Sequence, residues 1–286
     1  MEYPQREHPF LAQRDAGAMG MWTDDRAWDA LDAWRWIPPG SKRVVGTNYE
    51  LAVTPGSYAL TYAYGLHAKD GPSAEEVLTE LRRQVEARGG TGVRIFVYPS
   101  SHPPDLPERL QKRGFQVAAE TEALVWELVD ERGKPRLPEF RPVDGVRVRE
   151  VLTQNDYDAF LRLSPPIFGD PVPSEESLTE FKRELDRTIR ETGHSDQFVA
   201  WEGTTPIGRA GVQVVGEVAR LWGTGVLPEH RRRGVYGLLV RARCEEAVRR
   251  AATLALTNAR VGTSGPILKH HGFRALGPVR IFEARW

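Results

Sequence analysis

Three consecutive arginines, Arg231, Arg232 and Arg233, followed by Gly234-Val235-Tyr236-Gly237, have the types and spacing that suit a polyphosphate. They come after Leu221 to Val226, which reads as a strand, and before a stretch to about Arg250 that reads as a helix. Backbone N–H groups in the first turn of a helix have no intrahelical acceptor and point outward together, so those from Arg232 onward can converge on phosphate oxygens. Gly234 permits close backbone approach, the helix dipole has the right sign, and guanidinium groups pair bidentately with phosphate. A Walker loop is excluded, because Gly234 is followed by Val-Tyr-Gly and no Gly-Lys-Ser/Thr occurs there. A dinucleotide fold places its glycine loop after the first strand of a domain, whereas several strands precede this one.

Groups able to move protons surround the loop. Glu217, near the start of the same strand, is a candidate base acting directly or through water. Tyr236 lies in the first helical turn, His230 lies beside the loop, and His270 and His271 lie on or just after a later short helix. Asn258, closing the next strand, offers an amide to a carbonyl or an ordered water. Cys244 shares a helix face with Val240, Ala247 and Ala251 and reads as apolar filling, with nothing nearby in sequence to lower its pKa.

Composition bounds what these groups can serve. The 286 residues suffice for two ordinary cores, and Lys+Arg and Asp+Glu both total 39, so no net field draws the chain to nucleic acid or an acidic membrane. One cysteine allows no internal disulfide and no thiolate-rich zinc site, and no metal is expected. No apolar run approaches the roughly 20 residues of a membrane span, and Met1-Glu-Tyr-Pro4 lacks the features of a signal peptide, so a cytoplasmic protein is expected.

Several elements must position the loop. In the first half, Asp25 to Trp34 reads as a short helix, and Arg43 to Val53 and Tyr58 to Leu66 read as strands about a turn at 54–57. Ser73 and Glu76 form a capping box for a helix over 73–88 whose stripe is Ala74, Val77, Leu78, Leu81 and Val85. A strand at Val93 to Tyr98, a short helix at Leu106 to Lys112 and one or two strands over Phe115 to Leu128 follow. Residues 131–145, charged and Pro-rich, read as a linker. In the second half a strand at Val146 to Val151 leads to a helix over Gln154 to Leu163 that Pro165-Pro166 should end. A loop at 169–173 and an amphipathic helix from Ser174 carrying Leu178, Phe181, Leu185 and Ile189 come next. Strands are expected at Gln197 to Trp201, Pro206 to Val215, Val218 to Val226 and Ala251 to Asn258, then a short helix from Ser264 and a last strand from Phe273 to Arg285.

The halves repeat one another. A shift of 158 positions brings Leu110-Gln-Lys-Arg-Gly-Phe115 onto Leu268-Lys-His-His-Gly-Phe273 without a gap. The same shift brings Gly65 onto Gly223, Val93 to Tyr98 onto Ala251 to Leu256, and Ser73 onto Arg231.

The strand order, the Arg-x-x-Gly segment after a strand ending in Val226, and the late Gly272-Phe273 resemble the GCN5-related N-acetyltransferase (GNAT) superfamily. The resemblance implies an α/β (α+β) fold of two tandem GNAT-like domains, each a mixed, mostly antiparallel sheet flanked by helices. Residues 1–130 resemble a degenerate copy and 146–286 a complete one, an arrangement similar to that of mycothiol synthase. It further implies acetyl-CoA as cosubstrate, held by Gly225 and Val226 of the fourth strand, by Arg231, Arg232, Arg233, Gly234, Val235, Tyr236 and Gly237, and by Asn258. The family's loop has Gly or Ala where this chain has Tyr236. Its proton-donating Tyr falls on Leu268, so the donor becomes Tyr236, His270, another group or water, with Glu217 as base. The expected activity is acetyl transfer to a primary amine of a small molecule or peptide by a monomer or homodimer, without nucleic acid or membrane. The alternative is a non-catalytic acyl-CoA sensor or interaction module.

Overall fold

Side-chain caps write several helix starts in this chain. The computed structural model describes residues 22–34, 42–53, 61–64, 73–169 and 175–286. Thr23 accepts the Arg26 N–H and opens helix α1 (Asp24–Asp32). Ser73 and Glu76 cap each other at the start of α2 (Ala74–Glu86), whose five stripe residues are all buried, as the pattern predicts. Thr153 caps α4 (Gln154–Arg162) by accepting the Asp156 N–H.

Around these caps the first half contains strands β1 (Lys42–Val45), β2 (Glu50–Val53), β3 (Thr61–Tyr64), β4 (Gly92–Val97) and β5 (Gln116–Glu127), with helix α3 (Leu106–Lys112) before the last. One strand is predicted over 43–53, but the chain turns back within it. The Gly46 N–H donates to Tyr49 O at 2.9 Å, and a Cβ at Gly46 would lie 2.5 Å from the Tyr49 ring, so glycine sets this turn. The predicted turn at 54–57 and Gly65 lie outside the described residues.

The second half runs β6 (Val146–Glu150), α4, α5 (Ser164–Phe168), α6 (Glu175–Thr192), β7 (Gln197–Glu202), β8 (Thr205–Val215), β9 (Val218–Val226), a 3-10 turn (Pro228–His230), α7 (Val235–Arg249), β10 (Leu254–Arg260), α8 (Ser264–His270) and β11 (Arg274–Arg285). Pro165 and Pro166 open α5 where they were expected only to end α4, because proline in a first helical turn forfeits no hydrogen bond. Residues 251–253 belong to a turn and not to the strand predicted from Ala251: Ala251 has φ +60° and the Ala252 N–H returns to Ala247 O. The predicted loop residues 170–173 and the helix start at Ser174 lie outside the described residues.

The eleven strands among the described residues form one sheet in the order β1-β2-β3-β4-β11-β5-β10-β9-β8-β7-β6. Pairing is antiparallel except between β3 and β4 and between β9 and β10. β11 lies between β4 and β5, and β5 lies between β11 and β10, so the final strand of each half is lodged against the other half. At the centre Thr121 faces Val279, its equivalent under the 158-residue shift, and Thr121 Oγ1 donates to Val279 O at 2.9 Å. The helices α3 and α8 and the strands β5 and β11 keep that shift throughout. Elsewhere it slips. Glu127 faces Leu254 while Arg285 faces Gly92, which aligns β4 with β10 four residues beyond the ungapped position. Likewise α7 begins three residues late, so Ser73 corresponds to Gly234 and not to Arg231.

Cores follow the same interleaving. Phe282 of β11, fully buried, fills the cluster made by Leu51, Val77, Leu81, Ile95 and Leu110. Val279 and Leu254 join Ala27, Leu31, Tyr98 and Val125 in another. The predicted linker 131–145 is packed down: Trp126 Nε1 donates to Arg136 O at 2.8 Å, the Arg136 guanidinium lies over the Trp126 ring, and Leu137 and Phe140 rest on the α7 core. Phe282→Ala should therefore cost about 3–5 kcal/mol and lower the urea midpoints seen by tryptophan fluorescence and far-UV dichroism together. Two separated transitions would contradict a shared core.

Candidate active site

A fork in the sheet builds the site. β9 and β10 pair in parallel only at Val218/Leu254, Ala219/Ala255 and Arg220/Leu256. Thr257 Oγ1 then donates to Leu221 O at 2.9 Å, a staple at the point where the ladder stops. Beyond it β9 follows β8 as far as Val226, opposite Gly208, and β10 follows β5 as far as Arg260, opposite Thr121. Each strand stays paired on its outer side, and the inner edges are left with backbone groups available to a guest chain. Asn258 lies just past the staple, and its Oδ1 is buried without a hydrogen-bond partner among the described residues.

At the end of β9 the chain makes its 3-10 turn and enters α7 through two left-handed residues, Arg232 (φ +63°) and Gly234 (φ +91°). The N–H groups of Arg231 and Gly237 find Pro228 O and Gly234 O, but those of Arg232, Arg233, Gly234, Val235 and Tyr236 have no acceptor among the described residues. Five successive unclaimed amides around left-handed turns make an anion-binding concavity. The three guanidiniums expected there have different fates. Arg231 Nε donates to Val226 O at 3.0 Å, tying the loop to the strand. Arg233 forks onto Glu202 and lies 2.9 Å from His230 Nδ1, and the Arg233 hydrogen bonds hold the Glu202 carboxyl below its usual range. Arg232 is exposed and makes no hydrogen bond or ion pair among the described residues.

Residues of the packed linker cover this helix start. A Cβ at Gly237 would lie 2.3 Å from the Phe140 ring, and one at Gly234 would lie 3.1 Å from Val143. Phe140 in turn stacks at 4.2 Å on His271. Gly237 is thus fixed by the strap passing over it, which accounts for a glycine one place later than the loop pattern expects.

Tyr236, in the first turn of α7, lies near Ser264 at the start of α8, and Ser264 Oγ accepts the Arg260 N–H at the end of β10. Burial pushes the Tyr236 phenol above its ordinary pKa, against the opposing pull of the Arg243 charge and the Ser264 hydrogen bond. Arg243 is itself 1% exposed and donates to Leu239 O and Gly211 O; burial lowers it to about 10, so it stays charged at neutral pH. On the other sheet face α5 crosses β9, with Ile167 only 2.1 Å from where a Cβ of Gly225 would lie. A cleft of about 390 Å³ opens beside it, lined by Leu163, Pro166, Trp201, Pro206 and Leu227 among others.

One of the predicted catalytic residues is elsewhere. Glu217 precedes the paired part of β9, on the far side of the staple from Val226, where it binds Arg26 and accepts from Thr253 Oγ1 at 3.2 Å. The nine residues of β9 place it roughly 30 Å from the loop. His270 is exposed and packs edge-on against His271. Leu268 is 1% exposed in the α7 core and offers no protic group. Sequence reasoning missed Thr257, Ser264, Glu202 and Phe140. Thr257 carried one signal, its place beside Asn258; the others come from segments with no chemical pattern.

This site and fold can be set beside known proteins. Residues 158–263, which carry β7 to β10 and the loop, match the Acetyltransferase (GNAT) family. No curated protein matches the chain. Among solved structures, a GCN5-related N-acetyltransferase from Sphaerobacter thermophilus superposes with a TM-score of 0.62 at 16% identity, over 90% of this chain and 85% of that one. A GCN5-related N-acetyltransferase from Kribbella flavida gives 0.59 at 17%, over 93% and 96%. A tandem GNAT protein from the clavulanic acid biosynthesis pathway gives 0.57 at 16%, over 90% and 87%. The large, mostly antiparallel sheet flanked by helices is the fold of these GNAT structures. No helix of the described residues is long and apolar enough to cross a membrane.

Gly237→Ala should displace Phe140 and cost about 1–3 kcal/mol in urea unfolding, with a near-ultraviolet change at the aromatic strap. An unchanged midpoint would show that the strap yields freely. Burial pushes the Cys244 thiol up to about 12, so a thiol reagent at pH 8 should label the chain only in denaturant. Stoichiometric labelling of the folded protein would contradict that burial.

Proposed function

We propose that the chain is an acetyl-CoA-dependent N-acetyltransferase whose second half, residues 146–286, binds the cosubstrate. The observation that carries this reading is the fork between β9 and β10, which runs from the Thr257 staple to five unclaimed amides at the start of α7. In this reading the N–H groups of Arg232 to Tyr236 hold the pyrophosphate, with the exposed Arg232 side chain free to close on it. Gly225 and Val226 offer backbone groups to the pantetheine arm, and the Asn258 amide meets one of its carbonyls or an ordered water. Acetyl-CoA supplies a thioester whose carbonyl carbon is open to a neutral primary amine. The chain's own part is to orient the two reactants and to handle protons. Tyr236, kept protonated by burial, is the donor assigned to the departing sulfur. No acidic residue lies between Val218 and Val226 on β9, and in this reading the amine proton passes to water.

The first half, residues 1–130, reads as a second copy that does not bind CoA, joined through 131–145. At the position equivalent to Gly234 the Ser73 side chain caps α2, the Glu76 carboxylate takes the Ser73 N–H at 2.6 Å, and Glu75 and Glu76 add negative charge where a diphosphate would lie. Its contribution is structural, and its sheet borders the acceptor cleft. The acceptor is a primary amine of a small molecule or peptide, and the protein acts in the cytoplasm as a monomer or homodimer without nucleic acid or membrane. A second reading, an acyl-CoA sensor without turnover, draws support from the buried Leu268 and from Glu217 being held by Arg26.

Calorimetric titration with acetyl-CoA and release of CoA thiol across an amine panel separate the two. Gly234→Asp should weaken binding at least tenfold by placing a carboxylate against phosphate. Tyr236→Phe should lower kcat by roughly 100-fold with KM nearly unchanged. Binding without amine-dependent thiol release would favour the sensor, and undiminished binding by Gly234→Asp would remove the loop from the site.

A further inference from the structure

Away from the fork, three side chains able to ligate a metal converge where the end of β6, the chain after α6 and the helix α7 meet. Glu150, His194 and Glu246 present ligand atoms that all lie within 4.8 Å of one another. His194 Nδ1 is 3.9 Å from Glu150 Oε1 and 4.0 Å from Glu246 Oε1. Glu246 is the unusual member. It is 1% exposed, and its Oε1, facing His194, has no hydrogen-bond partner among the described residues. A buried carboxylate oxygen left without a donor is costly, and a cation among these three groups would satisfy it.

The surroundings hold the ligands in place. Arg249 binds the other oxygen of Glu246 and lies 4.0 Å from Glu150 Oε2, while the Ser195 N–H donates to Glu150 Oε1. We propose that Glu150, His194 and Glu246 bind one divalent transition-metal ion of the zinc class. One imidazole and two carboxylates are a suitable borderline donor set, and water completes the coordination. In a tetrahedral set with bonds of about 2.0–2.1 Å, ligand atoms lie about 3.3 Å apart, so the two His194 spacings must close by roughly 0.6–0.7 Å and the Glu150–Glu246 spacing by at most about 1.5 Å. Two carboxylates against one guanidinium leave a negative site for the dication. Twelve residues of α7 separate Glu246 from Gly234, about 18 Å along the helix, so the ion takes no part in acyl transfer. It pins the edge strand β6 and the entry to β7 onto α7.

The test uses the full chain after dialysis against chelator, titrated with zinc chloride and with cobalt chloride as the spectroscopic probe. One equivalent should bind, cobalt should give the visible absorption of a low-symmetry site, and zinc at about 100 times its Kd should raise Tm by roughly 5 °C. His194→Ala, whose side chain is already 38% exposed and so removable at little folding cost, should weaken binding at least tenfold and abolish the Tm shift. Glu246→Gln should do the same. Absence of saturable binding, or equal binding by wild type and His194→Ala, would overturn the proposal and leave an ion-pair cluster only.

Discussion

The antiparallel pair of β5 with β11 is the contact on which the rest depends. Each strand belongs by sequence to one half and is lodged against the other, with Thr121 and Val279 facing each other at the centre. The pairing joins two short sheets into one of eleven strands and carries Phe282 into the first half's core. It also fixes where β10 can go, because β5 occupies the side of β10 away from β9. β10 therefore follows β5 after the staple while β9 follows β8, and the fork is a result of each strand keeping its outer partner.

A comparison of two helix starts shows how the same geometry can be opened or closed. At α2 the serine hydroxyl and the glutamate carboxylate consume amides that would otherwise point outward. At α7 no side chain caps the helix, Gly234 is left-handed, and the amides remain unclaimed. A capping box stabilises a helix locally, whereas an uncapped start reserves the same donors for a ligand. The second arrangement sacrifices some intrinsic stability, which Arg231 partly restores by donating from the loop to the end of β9.

Much of this was legible in the chain, for identifiable reasons. The capping box and stripe of α2, the short helices α3 and α8 and the strand β9 rest on local patterns, and local patterns survive into the structure. The uncapped, left-handed start of α7 was legible because Gly234 stands just before the helical run, whereas the separate partners of Arg231 and Arg233 were not. The repeat was legible in α3 and α8 but misaligned at β4, since a four-residue slip leaves no mark in an ungapped comparison. Glu217 looked catalytic because sequence gives its strand but not the strand's paired end, and only the register places it beyond the staple. Residues 131–145 read as a linker because Phe140 and Val143 belong to no periodic run; their packing against Gly237 and Gly234 is a tertiary contact that composition does not encode.

The interleaved centre also bears on how the molecule is made. β4 and β5 are synthesised long before β11, yet they do not pair with each other and must hold open a slot one strand wide between them. A chain emerging from the ribosome thus carries two exposed ladders, and closing them requires contacts of very large sequence separation, which slows folding and invites intermolecular pairing in the interval. The sheet becomes continuous only when β11 arrives.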